Sequence, residues 1–381
     1  MEVFGQIGQF GSGTLGYIVP FLFVLTLVVF VHELGHFLVA RWCGVKVKAF
    51  SIGFGPELFG FDDRHGTRWK LSALPLGGYV RFSGDEDAAS TPDRAAIEAM
   101  SEEERRTSFA GKSVWQRAAI VAAGPAANFI LAIAIFAGIF ALYGREVTSA
   151  RVDQIVPGSA AERAGFKPGD LVLSIDGSPI DSFNDLQRIV SMNSDETLQL
   201  VVQRGDGQVN LVATPERKEV KDRFGNIYKM GQLGIGHDAS GGNVKVERFS
   251  VPQAIVLGAE ETWSVVDRTF TYIGRLFTGR ESTDQLSGMI GVARASGQVA
   301  TLGFVALVNL AAILSVSIGL LNLFPIPMLD GGHLMFYLVE ALRGRPLSAR
   351  AQDIGFRIGL AAVVMLMIFT TWNDIIHLSS L

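Results

Sequence analysis

Cysteine is almost absent from this chain. Cys43 is the single one in 381 residues, so no intrachain disulfide can brace the fold. Its position at the end of an apolar run reads as inert packing. Charge is scarce too: 18% of residues are Asp, Glu, Lys or Arg, and the net charge of −4 is too small to argue for nucleic acid. Lys and Arg are missing altogether from residues 1–40, and Tyr17–Ala40 carries no charge outside one short motif. With 43 glycines and a mean hydropathy of +0.32, the composition is that of a membrane protein. The first apolar run does not read as a secretory signal peptide. No basic region precedes it, and charged residues stand where cleavage would fall.

Four runs are apolar enough to span a bilayer: Tyr17–Ala40, Ala118–Tyr143, the uncharged stretch ending at Leu329, and Ile358–Asn373. The last has about 16 residues, roughly 24 Å of helix, and needs local thinning or a snorkelling Arg357. Lys and Arg set the orientation. They crowd between Arg41 and Arg117 and again at Arg343, Arg345, Arg350 and Arg357, which puts both basic loops in the cytoplasm and both termini outside. The expected fold is a polytopic α-helical membrane protein with four transmembrane helices, a membrane-associated cytoplasmic β-hairpin region and one extracytoplasmic β-rich domain. The boundaries read as 1–43 (first transmembrane helix), 44–113 (cytoplasmic loop), 114–143 (second helix), 147–240 (external domain), 250–298 (amphipathic helix and linker), 299–341 (third helix) and 350–377 (fourth helix).

The first helix carries His32-Glu33-Leu34-Gly35-His36. Imidazoles spaced i, i+4 on a helix share a face and can share one metal, with Glu33 beside them as proton acceptor. Ionisable groups at membrane depth are costly, so they point to function. Catalytic zinc usually takes three protein ligands, and the third is sought at matching depth. The third apolar run ends in Asn322-Leu-Phe-Pro325-Ile-Pro327-Met-Leu-Asp330-Gly-Gly, where two prolines must break the helix. The first and third helices run the same way. His32 lies about 15 residues, roughly 22 Å, from the outer end, near the level where the broken end arrives. Asp330 is read as the third ligand. The alternative is a cap for a new helix at Gly331. His333 is a weaker rival ligand, read as a polar residue at the helix start.

These motifs resemble the site-2 protease family of intramembrane zinc metalloproteases, in its bacterial regulator-of-sigma-E form, over nearly the whole length. Gly124-Pro125-Ala-Ala-Asn128 is similar to the family's G-P-x-x-N element. The resemblance implies His32, His36 and Asp330 as ligands of Zn2+ and Glu33 as catalytic base. It also implies that Asn322, with Pro325, Pro327 and Asn128, receives an unwound substrate. Ser317 and Met289 depart from residues common in the family, at positions that touch no proposed ligand. The implied substrates are single-pass membrane proteins, of the anti-sigma-factor and signal-peptide-remnant classes, cleaved in the lipid bilayer of a bacterial inner membrane. Two other readings stay open: a metal-ion transporter, and an inactive membrane scaffold that binds peptides outside.

Within 147–240, Leu171–Gly177 reads as a strand with a turn, Ser182–Met192 as a helix, and Leu198–Val212 as a hairpin around Gly205-Asp-Gly207. Gly158-Ser-Ala-Ala-Glu-Arg-Ala-Gly165 resembles the loop of a single bacterial PDZ domain, which would be periplasmic. It either binds an extended peptide by strand addition or gates access to the active site. The loop after Val45 reads as short strands that could offer an edge to substrate, or as an ordinary surface hairpin. Glu102-Glu-Glu-Arg-Arg is a solvated charged turn or helix face. Residues 251–280, apolar at Ile255, Trp263, Val266, Phe270, Ile273 and Phe277, suggest an amphipathic helix along the outer membrane surface.

Overall fold

The computed structural model describes residues 14–83, 100–221, 227–236, 244–280, 283 and 286–379. In chain order its elements are α1 (Thr14–Trp42), β1 (Val47–Asp62), β2 (Arg68–Phe82), α2 (Glu102–Thr107), α3 (Val114–Tyr143), β3 (Arg145–Thr148), β4 (Gln154–Ile155), α4 (Ala160–Arg163), β5 (Leu171–Ile175), β6 (Ser178–Pro179), α5 (Phe183–Met192), β7 (Leu198–Arg204), β8 (Gly207–Ala213), β9 (Glu216–Lys221), β10 (Ile227–Gln232), β11 (Ile235–Gly236) and β12 (Val244–Glu247), then α6 (Val251–Phe277), α7 (Met289–Ala300), α8 (Phe304–Leu323), α9 (Asp330–Arg343) and α10 (Ala349–Ser379). They group into two compact units, Phe140–Ser250 forming one and the segments before and after it the other.

Four helices of the first unit are long and apolar enough to cross a membrane: Leu15–Trp42, Val114–Tyr143, Phe304–Leu323 and Arg350–Ile376. In the last, helix continues to either side of the apolar 358–373 core, for 27 residues in all. The third run breaks at its prolines, as their missing N–H groups require, so α8 ends at Leu323 and α9 begins at Asp330.

Helix α6 is amphipathic, but it runs lengthwise beside α8. Gly258 packs against Ile133 and Ala137 of α3, while Phe270 reaches Phe324 just beyond the other end of α8, ring centroids 6.3 Å apart. Its buried face is Ala254, Gly258, Thr262, Val265 and Val266, small enough for close helix packing. Residues expected as a linker hold α7, twelve residues of mostly small side chains.

The loop after α1 is more ordered than short strands. β1 and β2 are each bent, so that two strands make four lanes, with 49–52 parallel to 68–71 and the outer pairings antiparallel. Residues 49–52 pair with both 68–71 and 78–81, and 68–71 pair on their other side with 59–62. Phe50 is fully buried between Trp69 (4.4 Å) and Phe37 of α1 (5.4 Å, edge-on). Each such pair contributes about 0.5–1.5 kcal/mol beyond its area. Cys43 is half-buried beside this cluster. The turn between the strands is tied back to α1 through Asp63, which accepts from the backbone N–H groups of His65 and Thr67, from Trp69 Nε1 and from Arg41.

In the second unit a four-stranded antiparallel sheet, order β6-β5-β7-β8, packs its apolar face with α5 around Val172, Ile175, Leu186, Val190, Leu200 and Val202. Strand pairs β4–β11, β9–β10 and β3–β12 flank it in the chain. The hairpin turn falls at Gly205-Asp206, with Arg204 opposite Gly207.

Burial opposes the Asp63 carboxylate, but its donors outweigh that and hold it well below the usual carboxylate range. A carboxyl lowered on folding adds stability above its unfolded pKa, about 3.9, and that stability is lost as pH falls. Asp63→Asn should therefore cost about 2 kcal/mol at pH 7 and remove part of the acid sensitivity. Thermal melts of wild type and variant between pH 7 and pH 3 measure both, and the two curves should converge at the acid end.

Candidate metal centre

The histidine helix and α3 approach more closely than ordinary side chains allow. A Cβ on Gly35 would sit 2.2 Å from the carbonyl oxygen of Ala123, and one on Gly124 would sit 2.3 Å from His36 Nε2 and 2.9 Å from His32 Cε1. Gly35 thus lets the two helices approach, and Gly124 opens the space that both imidazoles fill. The rings meet edge-on, centroids 4.8 Å apart, with Nε2 atoms 3.2 Å apart.

Asp330 completes the group. Its Oδ2 lies 3.2 Å from His32 Nε2 and 3.5 Å from His36 Nε2. The N-cap of α9 is Leu329, with no side-chain cap bond, so the Asp330 carboxylate is directed at the histidines instead of at its own helix end. Just before it, Met328 has φ +101, a strained conformation for a residue with a side chain, which turns the chain between Pro327 and α9.

These three residues fit a zinc ion. Bonds of about 2.0–2.1 Å at tetrahedral angles place ligand atoms roughly 3.3 Å apart, close to the 3.2, 3.2 and 3.5 Å found here. Asp330 Oδ2 is also buried with no hydrogen-bond partner, although two ring nitrogens face it. A cation shared among the three atoms accounts for both facts.

Neighbouring groups orient the ligands. His36 Nδ1 lies 2.9 Å from the Ile120 carbonyl oxygen, so Nδ1 carries the proton and Nε2 keeps its lone pair. Asn128, fully buried, lies against His32 Nδ1 at 3.3 Å, and its backbone carbonyl accepts from Ser315 Oγ of α8. An amide can present either end. With Oδ1 turned to Nδ1–H, the otherwise partnerless Oδ1 is satisfied and Nε2 again keeps its lone pair. Glu33 accepts from the backbone N–H of Val80 on β2.

One cavity of about 350 Å³ joins His32, Glu33, His36, Asn322, Asp330 and His333. Pro325, Pro327 and Asn128 do not line it. The prolines break the helix, and Asn128 lies behind His32, against its Nδ1. The Ile120 carbonyl and the Val80 amide carry no sequence signal, since any residue supplies them.

Gly124→Ala is expected to weaken metal binding on the order of tenfold or more, while Gly138→Ala, with open space around its Cβ, should leave it unchanged. Asn128→Ala should weaken it about 10–100-fold. Competition with a chromophoric chelator reads all three variants.

The sequence profile of peptidase family M50 matches residues 20–366. Proteins of Rhizobium meliloti and Agrobacterium fabrum, each provisionally named a zinc metalloprotease, are 55% and 54% identical over 95% and 94% of this chain and 97% and 96% of their own lengths. A protein named Metalloprotease MmpA, from Caulobacter vibrioides, is 44% identical over 95% of this chain and 96% of its own. Among solved structures, the PDZ domain of an SdrC-like protein from Listeria monocytogenes is similar over 22% of this chain and 82% of its own, at 19% identity and a TM-score of 0.18. A complete His-Glu-x-x-His with its aspartate, on a chain matched to the family over residues 20–366, leaves one assignment: the chain belongs to peptidase family M50, the site-2 protease family, and is a zinc metalloprotease.

Proposed function

We propose that this protease cuts peptide bonds inside the membrane-spanning segments of single-pass membrane proteins, including anti-sigma factors and signal-peptide remnants, in regulated intramembrane proteolysis. The observation that carries the reading is the position of the ligands. His32 and His36 lie on α1, and Asp330 just past α8, two helices long and apolar enough to span a bilayer. A hydrolytic centre built on such helices serves substrates in the same phase.

His32, His36 and Asp330 would hold a zinc ion, which would supply Lewis acidity and an acidified water at neutral pH. Glu33, beside them, is placed to accept a proton and return it to the leaving amine. The Val80 amide holds the carboxylate in place. A substrate helix hides its amides in i→i−4 bonds and must unwind before attack. The lane 78–81 of β2, which runs along the cavity beside Glu33, suits an added extended strand, and Asn322 offers an amide to the unwound segment.

The sheet also has an exposed apolar fringe at Leu58, Phe59, Phe61 and Leu74, which supports contact with lipid. Basic residues before α3 and before α10 support a cytoplasmic site and an inner-membrane protein with residues 147–240 in the periplasm. There the β5–β8 sheet with α5 supports a PDZ domain that binds a peptide or filters bulky ectodomains.

Glu33→Gln should lower cleavage of a trimmed single-pass substrate about 10²–10⁴-fold while zinc stays bound. Co-expression with tagged substrates and metal analysis of purified protein read both. Undiminished cleavage would remove Glu33 from the chemistry, and metal flux through either form would assign the centre to transport.

A further inference from the structure

Most polar side chains on the cavity wall are already engaged. Tyr79 accepts from Lys70 Nζ at 2.8 Å, Arg117 pairs with Glu340 at 2.6 Å, and Gln352 Nε2 donates to the Leu347 carbonyl at 3.1 Å. The ligands face one another, and Glu33 holds the Val80 amide. Among the described residues this leaves Asn322 and His333 on the wall with no hydrogen bond from the side chain.

His333 is the more tightly held. It lies three residues after Asp330 on α9, so both side chains share one helix face. Its ring is wedged between Phe356 of α10, centroids 5.4 Å apart, and Tyr337, at 6.4 Å. Its ring nitrogens lie outside the group of ligand atoms formed by His32, His36 and Asp330. A half-buried imidazole fixed by aromatic neighbours yet left without a partner is poised for a group that arrives with substrate.

We propose that His333 donates a hydrogen bond from its ring N–H to the carbonyl oxygen of the peptide bond being cut, as that oxygen gains negative charge. No proton is transferred in this step; the donor stays on the ring and stabilises developing charge. The inference rests on the protease reading and adds to it a second function for α9, whose first residue is a metal ligand.

The test uses full-length protein in detergent, with His333→Phe, which keeps the ring packing and removes the donor, and His333→Gln, which keeps an N–H donor. The probes are casein as an unfolded substrate and a peptide phosphonamidate as a tetrahedral anionic mimic. His333→Phe should lower kcat about 10²–10³-fold with KM and zinc content unchanged, and should weaken phosphonamidate binding by a similar factor. Affinity for a product peptide should not move. His333→Gln should recover most of the loss, and carries the test if the Phe form does not fold. Phosphonamidate affinity and kcat in His333→Phe within about threefold of wild type would overturn the proposal. So would zinc loss in both variants, or a Gln form as impaired as the Phe form. Wild-type protein that holds zinc but neither cleaves casein nor binds the phosphonamidate would overturn the protease reading itself, a result distinct from the other three.

Discussion

The separation between α1 and α3 at Gly35 and Gly124 governs everything around the metal centre. An imidazole needs room beside its own helix, and in a close-packed bundle that room exists only where the facing helix has no Cβ. Gly124 provides it for both rings at once. The same contact brings the Ile120 carbonyl and Asn128, each four residues from Gly124, against the two Nδ1 atoms. One helix therefore clears space for both imidazoles and fixes which nitrogen of each faces Asp330. α8 is drawn into the arrangement by Ser315, whose hydroxyl bonds to the Asn128 backbone. Packing and ligand orientation are thus one constraint.

The His-Glu-x-x-His spacing was legible because a helix fixes which side chains share a face, whatever surrounds it. Asp330 was legible through a second local fact: two prolines must end α8, and helices running the same way bring that end to the level of the histidines. What periodicity does not carry is neighbour identity. Residues 251–277 have a clear amphipathic pattern, yet the pattern is the same for a helix lying flat on a surface and for one packed lengthwise. Gly258 against Ala137 and Phe270 against Phe324 decide it. The bent strands are a similar case. Phe50 faces both Trp69 and Val80 only because each strand turns back on itself, and a pattern of alternation is silent about such a bend.

Asn128 illustrates a different limit. Its place in the Gly-Pro element suggested contact with substrate; a buried amide in an apolar helix also needs a polar partner. The partner is His32. Residue type announced that a hydrogen bond must exist, and only the fold identified the other end of it.

Asp330 raises a mechanical question, because a ligand carried just after a break in a helix has little covalent restraint on one side. Met328 in a strained conformation and two nearby prolines make that segment a poor anchor by itself. The restraint comes from the other end of α9. Glu340, about 15 Å along the helix from Asp330, pairs with Arg117 at the start of α3, both side chains only 17% exposed, and Arg117 also lies 4.9 Å over the ring of Tyr337. Loss of one member of so buried a pair costs about 3–5 kcal/mol, more than the strain of about 1–3 kcal/mol at Met328. α9 is thus a rigid strut between two polar contacts, one to the metal ligands and one to the helix that clears space for them. A shift of α3 moves the glycine gap, the Nδ1 partners and the far end of the strut together, so the third ligand follows the first two.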